Sequence, residues 1–474
     1  MKLLFATSEC APYIKSGGLA DVLGALPKAL AANGHECTVV LPKYRDMKLK
    51  DQLEYVTNYD IYSGWRKKYC GVFKAVADGV TYYFIDNEEY FGLPGLYGYG
   101  HDDERFAFFD FAVLELISHL QLDVDIIQLN DWQTSMIAPL YKERYQYYPM
   151  YENIKIIITV HNLAFQGKAD PKEITELFGL PMYLYENGNL KNDDCFNMMK
   201  SAFLYSDMIT TVSPTYAQEI LTDEYGEGLQ YILRDRQDVL HGILNGIDYD
   251  VNNPATDPNI VQQFDASTIE LKAKNKAALQ EELGLEVNPD VPLIGFVSRL
   301  TAQKGTDLIN NRMEEFIKRD AQFIFLGTGD KDYEASLAYY DSISGGKIKA
   351  IIAYDFKLSQ RIYAGCDLFL MPSKFEPCGL SQMMAMRYGT PPIVRETGGL
   401  KDSVKAWNMY DKTGTGFSFT NFNAHEMMDC IDRAIETYNN KEDWAILVQN
   451  TMAEKLDWEL SAKTYEALYE ELMK

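Results

Sequence analysis

The chain has 474 residues, 47% hydrophobic and 24% charged, with a formal net charge of -24. Such a composition belongs to an ordinary globular protein, and at ~150 residues per domain the length allows about three domains or two large ones. The acidic balance argues against nucleic acid or an anionic membrane as partner, because their phosphates would be repelled, but leaves room for a small phosphorylated ligand or a neutral polysaccharide.

The opening residues carry one lysine and a short apolar run broken by Ser8 and Glu9, too short for a signal peptide. No stretch approaches the ~18 apolar residues of a membrane span. The seven cysteines are scattered and lack C-x-x-C spacing, so neither a disulfide framework nor a zinc site is indicated and a reducing cytoplasm is expected. The 33 tyrosines suit cores and half-buried surfaces, and also stacking on sugar rings.

In chain order, strand patterns fall at Leu3–Thr7, Cys37–Leu41, Ile126–Leu129, Lys155–Val160 and Met208–Val212. Helical patterns lie between them at Asp21–Ala32, Glu104–Leu120 and Thr134–Arg144. This alternation predicts a parallel sheet with crossover helices. The tyrosine-rich stretch Tyr55–Tyr90 alternates in a way that predicts an antiparallel insertion. A polar break over Asp250–Glu282 follows. The pattern then restarts with strands at Pro292–Val297, Gln322–Leu326, Ile348–Ile352, Leu368–Met371 and Pro392–Val394, and a helix at Thr306–Arg319. The expected fold is therefore α/β with two doubly wound domains, rather than one barrel. An amphipathic helix with Trp458, Leu460, Tyr465, Leu468 and Leu472 ends the chain and needs a docking surface on one of them.

Candidate chemistry sits at strand ends. Lys15-Ser16-Gly17-Gly18-Leu19-Ala20-Asp21-Val22 follows the first strand. Its glycines let backbone approach a ligand at a helix N-terminus and its lysine adds positive charge, although Gly-Gly also suits a plain tight turn. Asn130-Asp131-Trp132-Gln133 pairs an acid with an indole, which suits carbohydrate, yet Asp131 is also a natural helix N-cap. His161-Asn162 ends the next strand, where a lone histidine is more often structural than catalytic. Arg299 and Lys304 follow the first strand of the second half. They would neutralise a diphosphate, or form a solvated surface pair. Glu376-Pro377-Cys378-Gly379-Leu380 offers a carboxylate and three successive backbone groups before a helix expected near Gly379. Glu376 would accept from sugar hydroxyls, or merely favour a helix N-terminus.

Lys15–Val22, Asn130–Gln133, His161–Gly167, Asn245-Gly246-Ile247-Asp248, Arg299–Gly305, Glu376–Gln382 and Thr397-Gly398-Gly399-Leu400 occur together in this order. On these motifs the chain resembles the bacterial glycogen synthase and plant starch synthase family over its whole length. The resemblance implies the GT-B architecture, two Rossmann-like domains facing across a cleft. Residues 1–240 would be the acceptor-side domain and 241–455 the nucleotide-sugar domain, with 456–474 crossing back to the first. It implies transfer of glucose from ADP-glucose to the non-reducing end of an α-1,4-glucan such as glycogen, with retention and no cofactor or metal. Nucleic acid and membrane are not among the implied partners, and a homo-oligomer is compatible.

Residue by residue, the resemblance implies that Lys15, with Gly17, Gly18 and Asp21, meets the sugar nucleotide. Arg299 and Lys304 hold the diphosphate. Glu376 and the amides of Cys378, Gly379 and Leu380 clamp glucose hydroxyls. His161 lies beside the anomeric carbon, Tyr354 lies near adenine, and Asn162 belongs with the substrate-binding residues. Tyr97, Asp131, Trp132 and Asn245 fall among the substrate-binding positions. Ser16 replaces a common threonine, a conservative departure, and Met384 stands where wider GT-B relatives carry a second glutamate that this family also lacks, which favours this family over those relatives. A glucan phosphorylase would need a lysine for pyridoxal phosphate, and no such motif is recognisable. A sugar-nucleotide epimerase would not elongate a glucan. An inactive glucan-binding paralogue is disfavoured by the joint presence of Lys15, His161, Arg299, Lys304 and Glu376.

Overall fold

The computed structural model describes residues 1–474, which form two compact units, Met1–Gly246 with Trp458–Lys474, and Ile247–Asp457. The first carries β1 (Lys2–Ala6), β2 (Glu36–Pro42), β3 (Glu54–Ser63), β4 (Arg66–Ala77), β5 (Val80–Asp86), β6 (Ile126–Asn130), β7 (Lys155–Val160), β8 (Lys168–Ala169), β9 (Lys191–Asn192), β10 (Cys195–Asn197), β11 (Met208–Thr211) and β12 (Leu240–Gly242). Nine of these make one sheet, in the order β12-β11-β7-β6-β1-β2-β5-β4-β3. All its pairings are parallel up to β5, and β4 and β3 extend it antiparallel. The Tyr55–Tyr90 insertion is thus a hairpin continuing the main sheet.

The second unit carries β13 (Leu293–Val297), β14 (Gln322–Leu326), β15 (Ile348–Ile351), β16 (Leu368–Met371), β17 (Pro392–Arg395) and β18 (Phe417–Phe419). Its order is β15-β14-β13-β16-β17-β18, parallel throughout. Alternate residues of β13 point to opposite faces. Ile294 and Phe296 join the core beneath helices Thr306–Asn311 and Ala424–Asn439, while Leu293 joins that beneath Phe356–Gly365.

The units change over at Gly246/Ile247 and Asp457/Trp458, against the expected 240/241 and 455/456. The first shift arises because β12 still pairs with β11. The last helix, Trp458–Leu472, lies in the first unit. There Ser461 Oγ donates to the Leu244 carbonyl at 2.5 Å, Asn33 donates to Glu466 at 2.7 Å, and Tyr469 reaches the buried Gln128.

Three helices differ from expectation. Thr306–Arg319 is two helices, Thr306–Asn311 and Met313–Lys318, broken at Arg312 (φ -121°). Asn310 and Asn311 are weak helix formers, and Arg312 turns out to Glu315 at 2.7 Å. Thr134–Arg144 begins only at Ile137, because the Thr134 hydroxyl bonds back to the Asn130 amide at 2.7 Å. The helix expected near Gly379 runs over Ser381–Arg387.

In a doubly wound sheet, ligands bind beyond the carboxyl ends of strands where the winding direction reverses. In the first sheet that place is between β1 and β6, and in the second between β13 and β16. No helix is long and apolar enough to cross a membrane.

Candidate active site

In the first unit, the loop after β1 is organised by Glu9, only 3% exposed. Its carboxylate accepts from the Ser16 amide, the Ser16 hydroxyl at 2.6 Å, the Gly17 amide at 3.2 Å and the Tyr97 hydroxyl at 2.7 Å. Glu9 is therefore the bracket on which the Lys15–Gly18 turn hangs. Sequence reasoning missed it, treating it only as an interruption of an apolar run; the available signal was an acid buried in a strand-to-helix loop. A Cβ on Gly17 would meet no atom within 4 Å, so the glycine answers no packing need of the chain and leaves open space. Lys15 is exposed and pairs with both Asp21 oxygens at 2.7 and 2.8 Å. The Tyr97 hydroxyl also meets Ser8 at 2.8 Å, so it is engaged within the protein.

Across the reversal point, after β6, Asp131 sits at φ 58°. It does not cap the following turn. Its carboxylate instead accepts from the His161 amide at 2.7 Å and the Asn162 amide at 3.4 Å. Asp131 thereby ties the end of β6 to the end of β7. Trp132 packs edge-on against Phe106 at 5.2 Å. The Asn130 amide group donates to the Ala6 and Gln128 carbonyls, so its oxygen faces His161 Nε2 at 2.9 Å. Nε2 therefore carries the proton and Nδ1 keeps the lone pair. Burial pushes the His161 imidazole down to about 3, so it is neutral at physiological pH.

Burial pushes the Asp131 carboxyl up to about 7, against the two backbone amides that favour its charge. The fold thus holds this proton more tightly than the unfolded chain, whose carboxyl titrates near ~3.9. The stability from that proton is complete below about pH 4 and is lost as pH rises through about 7. Asp131→Asn keeps an oxygen for both amides and removes the titration. Its melting temperature should exceed the wild type's near pH ~8 and converge with it below pH ~4; curves that stay parallel would show that Asp131 titrates normally.

In the second unit, Arg299 is exposed on the loop after β13, with Gln303 at 3.4 Å. Lys304 closes on Glu376 at 2.6 Å, and Ser373 donates to the same carboxylate oxygen at 3.1 Å. Both side chains are largely buried, at 15% and 8% exposure. The plain surface-pair reading thus fails for Lys304. Glu376 lies five residues before the helix at Ser381, outside its first turn, so the helix-charge reading fails too. Thr397-Gly398-Gly399 presses on the same loop. A Cβ on Gly398 would lie 2.0 Å from the Glu376 carbonyl, and one on Gly399 2.1 Å from the Cys378 carbonyl.

The structure thus brings Lys15, Gly17, Gly18, Asp21 and Tyr97 together after β1, and Asp131, Trp132, His161 and Asn162 beyond β6 and β7. Arg299, Lys304, Glu376, Cys378, Gly379 and Leu380 gather beyond β13 and β16. Two candidates stand apart. Tyr354, 81% exposed, lies on the loop after β15, and the buried Asn245 leaves its side-chain oxygen without a partner.

A cavity of about 450 Å³ lies elsewhere in the second unit, among Lys272, Lys276, Asp367, Tyr438 and Trp444. Its lysines are occupied. Lys276 holds Asp367 at 2.7 Å, and Lys272 donates to the Ala364 and Tyr388 carbonyls at helix ends. These are structural contacts, and none of the candidate site residues lines this cavity.

The starch synthase catalytic domain family matches residues 2–235, and the glycosyl transferases group 1 family matches 281–449. The glycogen synthase of Clostridium botulinum is 50% identical over 475 residues, covering 100% of this chain and 99% of that protein. That of Streptococcus mutans is 47% identical, with full coverage of both. Among solved structures, the catalytic domain of starch synthase IV from Arabidopsis thaliana, bound to ADP and acarbose, superposes with a TM-score of 0.93 at 36% identity, covering 100% of this chain and 99% of that one. Sucrose-phosphate synthase from Thermosynechococcus elongatus, at 16% identity and TM-score 0.62 over 99% and 98%, shares the fold.

Proposed function

This chain belongs to the glycogen and starch synthase family, and we propose that it transfers glucose from ADP-glucose to the non-reducing end of an α-1,4-glucan, with retention at the anomeric carbon. The observation that carries this reading is the buried Lys304–Glu376 pair at the β13/β16 reversal point, with Arg299 exposed beside it. The ADP and acarbose of the Arabidopsis relative support the same donor and acceptor classes.

In this reading Arg299 and Lys304 take up the negative charge that grows on the diphosphate as the glycosidic bond breaks, the electrostatic contribution that usually dominates such catalysis. Glu376 has two tasks: it holds Lys304 in place and accepts from glucose hydroxyls beside the amides of Cys378, Gly379 and Leu380. Tyr354 offers an exposed ring to adenine. Lys15, with Gly17, Gly18 and Asp21, acts on the sugar nucleotide. His161, neutral, cannot stabilise charge as an imidazolium, so it serves the anomeric centre as a hydrogen-bonding wall, with Asn162. Asp131, Trp132, Tyr97 and Asn245 line or support the sugar-binding positions. The acceptor 4-hydroxyl attacks the face from which the diphosphate leaves, and the departing phosphate oxygen takes its proton, so no separate base is needed. The seven cysteines form no disulfide and six of them are buried, which suits a reducing cytoplasm.

The test is incubation with glycogen and either ADP-glucose or UDP-glucose, following nucleotide release and chain growth together. Growth with ADP-glucose is expected. Release without growth, or a preference for UDP-glucose, would overturn the assignment.

A further inference from the structure

Gln382 is fully buried beneath the loop that carries Glu376, Cys378, Gly379 and Leu380. Its side-chain nitrogen donates to the Cys378 carbonyl at 3.2 Å, the Gly379 carbonyl at 2.9 Å and Ser403 Oγ at 3.0 Å. From the neighbouring strand end, the Gly399 amide donates to the Glu376 carbonyl at 3.1 Å and the Pro377 carbonyl at 3.2 Å.

In a trans peptide the carbonyl and the following N–H point in opposite directions. A group that captures a carbonyl from below therefore turns the next residue's N–H upward. Gln382, by holding the carbonyls of Cys378 and Gly379, aims the amides of Gly379 and Leu380. Gly399, by holding the carbonyl of Pro377, aims the amide of Cys378. Gly379 at φ 72° followed by Leu380 at φ -114°, ψ -33° supplies the change of backbone hand that makes successive amides converge on an oxygen.

We propose that Gln382 is a positioning residue for sugar recognition: it orients the Gly379 and Leu380 amides toward a glucose hydroxyl of the donor without touching the donor itself. This rests on the glucosyl-transfer reading above, in which those amides hold the sugar. A side chain that only filled space here would be replaceable by any apolar group of similar length. A positioning residue is not, because its N–H groups, shared among the two carbonyls and Ser403, fix the tilt of two peptide planes. Ser403 orients Gln382 in turn, its own hydroxyl donating to the Gly399 carbonyl at 2.6 Å. The two bracing elements are thus joined beneath the loop.

The experiment compares the wild type with Gln382→Met on ADP-glucose and on ADP-glucose analogues lacking one glucose hydroxyl each, with ADP inhibition measured in parallel. In the wild type at least one analogue should be slower by about tenfold, the effect of losing one buried hydrogen bond. In Gln382→Met the rate on ADP-glucose should fall by a similar factor, and the penalty for that analogue should shrink to about twofold or less, because the contact is already lost. ADP inhibition should stay within about twofold, since ADP carries no glucose. An undiminished analogue penalty, or ADP weakened in step with ADP-glucose, would overturn the positioning role. A wild type that penalises no analogue would overturn the sugar clamp itself. If Gln382→Met does not fold by thermal melting, Ser403→Ala should show the same pattern at smaller size, and an unchanged analogue penalty there would count against the proposal.

Discussion

Lys304→Ala should lower turnover by a factor of about 10²–10³ while changing glucan affinity by less than about twofold, as expected for a charge that acts on the transition state rather than on the acceptor. The substitution also strips a largely buried carboxylate of its cation, since Glu376 is 8% exposed and Lys304 lies 2.6 Å away. A loss of stability would therefore accompany the loss of rate. The double variant Lys304→Met with Glu376→Gln separates the two. Removing both charges should recover most of the melting temperature and none of the turnover. Steady-state kinetics and thermal melts on the same samples decide the matter, and an equal loss of turnover and glucan affinity would count against a role specific to the transition state.

Glu9→Gln should also be damaging, through positioning rather than through charge on the transition state. The carboxylate of Glu9 is an acceptor only, and donors from Ser16, Gly17 and Tyr97 surround it. An amide puts two N–H groups where only acceptors fit. The expected result is a stability loss of about 1–3 kcal/mol by denaturant unfolding and a rise of about tenfold or more in KM for ADP-glucose. Tyr97→Phe, which removes one donor and leaves the bracket intact, should do much less. Similar effects from the two variants would show that the Tyr97 contact, rather than the turn, is what matters.

Much of this arrangement was legible along the chain because its signals are local. The βα alternation, the glycines at Lys15–Gly18 and the cations after β13 each lie within a few residues of the strand that explains them. The bracing groups were not legible. Glu9 makes sense only with Tyr97 beside it, 88 residues away, and Gln382 only with Ser403. Asp131 looked like a helix cap because the sequence places it before a helical pattern, whereas the fold sends its carboxylate across to the end of β7. The break at Arg312 was hidden because the pattern of apolar residues continues through it. Periodicity reports which face is buried and says little about where a single side chain finds a better partner than its own helix.

The return of the final helix to the first unit makes the second unit an insertion between two parts of the first. The outgoing and returning segments are tied together, with the Ile247 amide donating to the Leu456 carbonyl at 2.7 Å and the Leu456 amide to Tyr249 Oη at 3.0 Å. On the ribosome, the first unit therefore waits for its last piece until all of Ile247–Asp457 has been synthesised. Every strand of its nine-stranded sheet precedes the second unit in the chain, whereas Gln128 and the Leu244 carbonyl meet their Tyr469 and Ser461 partners only after the second unit has been made. A chain that stopped at Asp457 would carry every residue of the second unit yet leave the first without the helix that closes it.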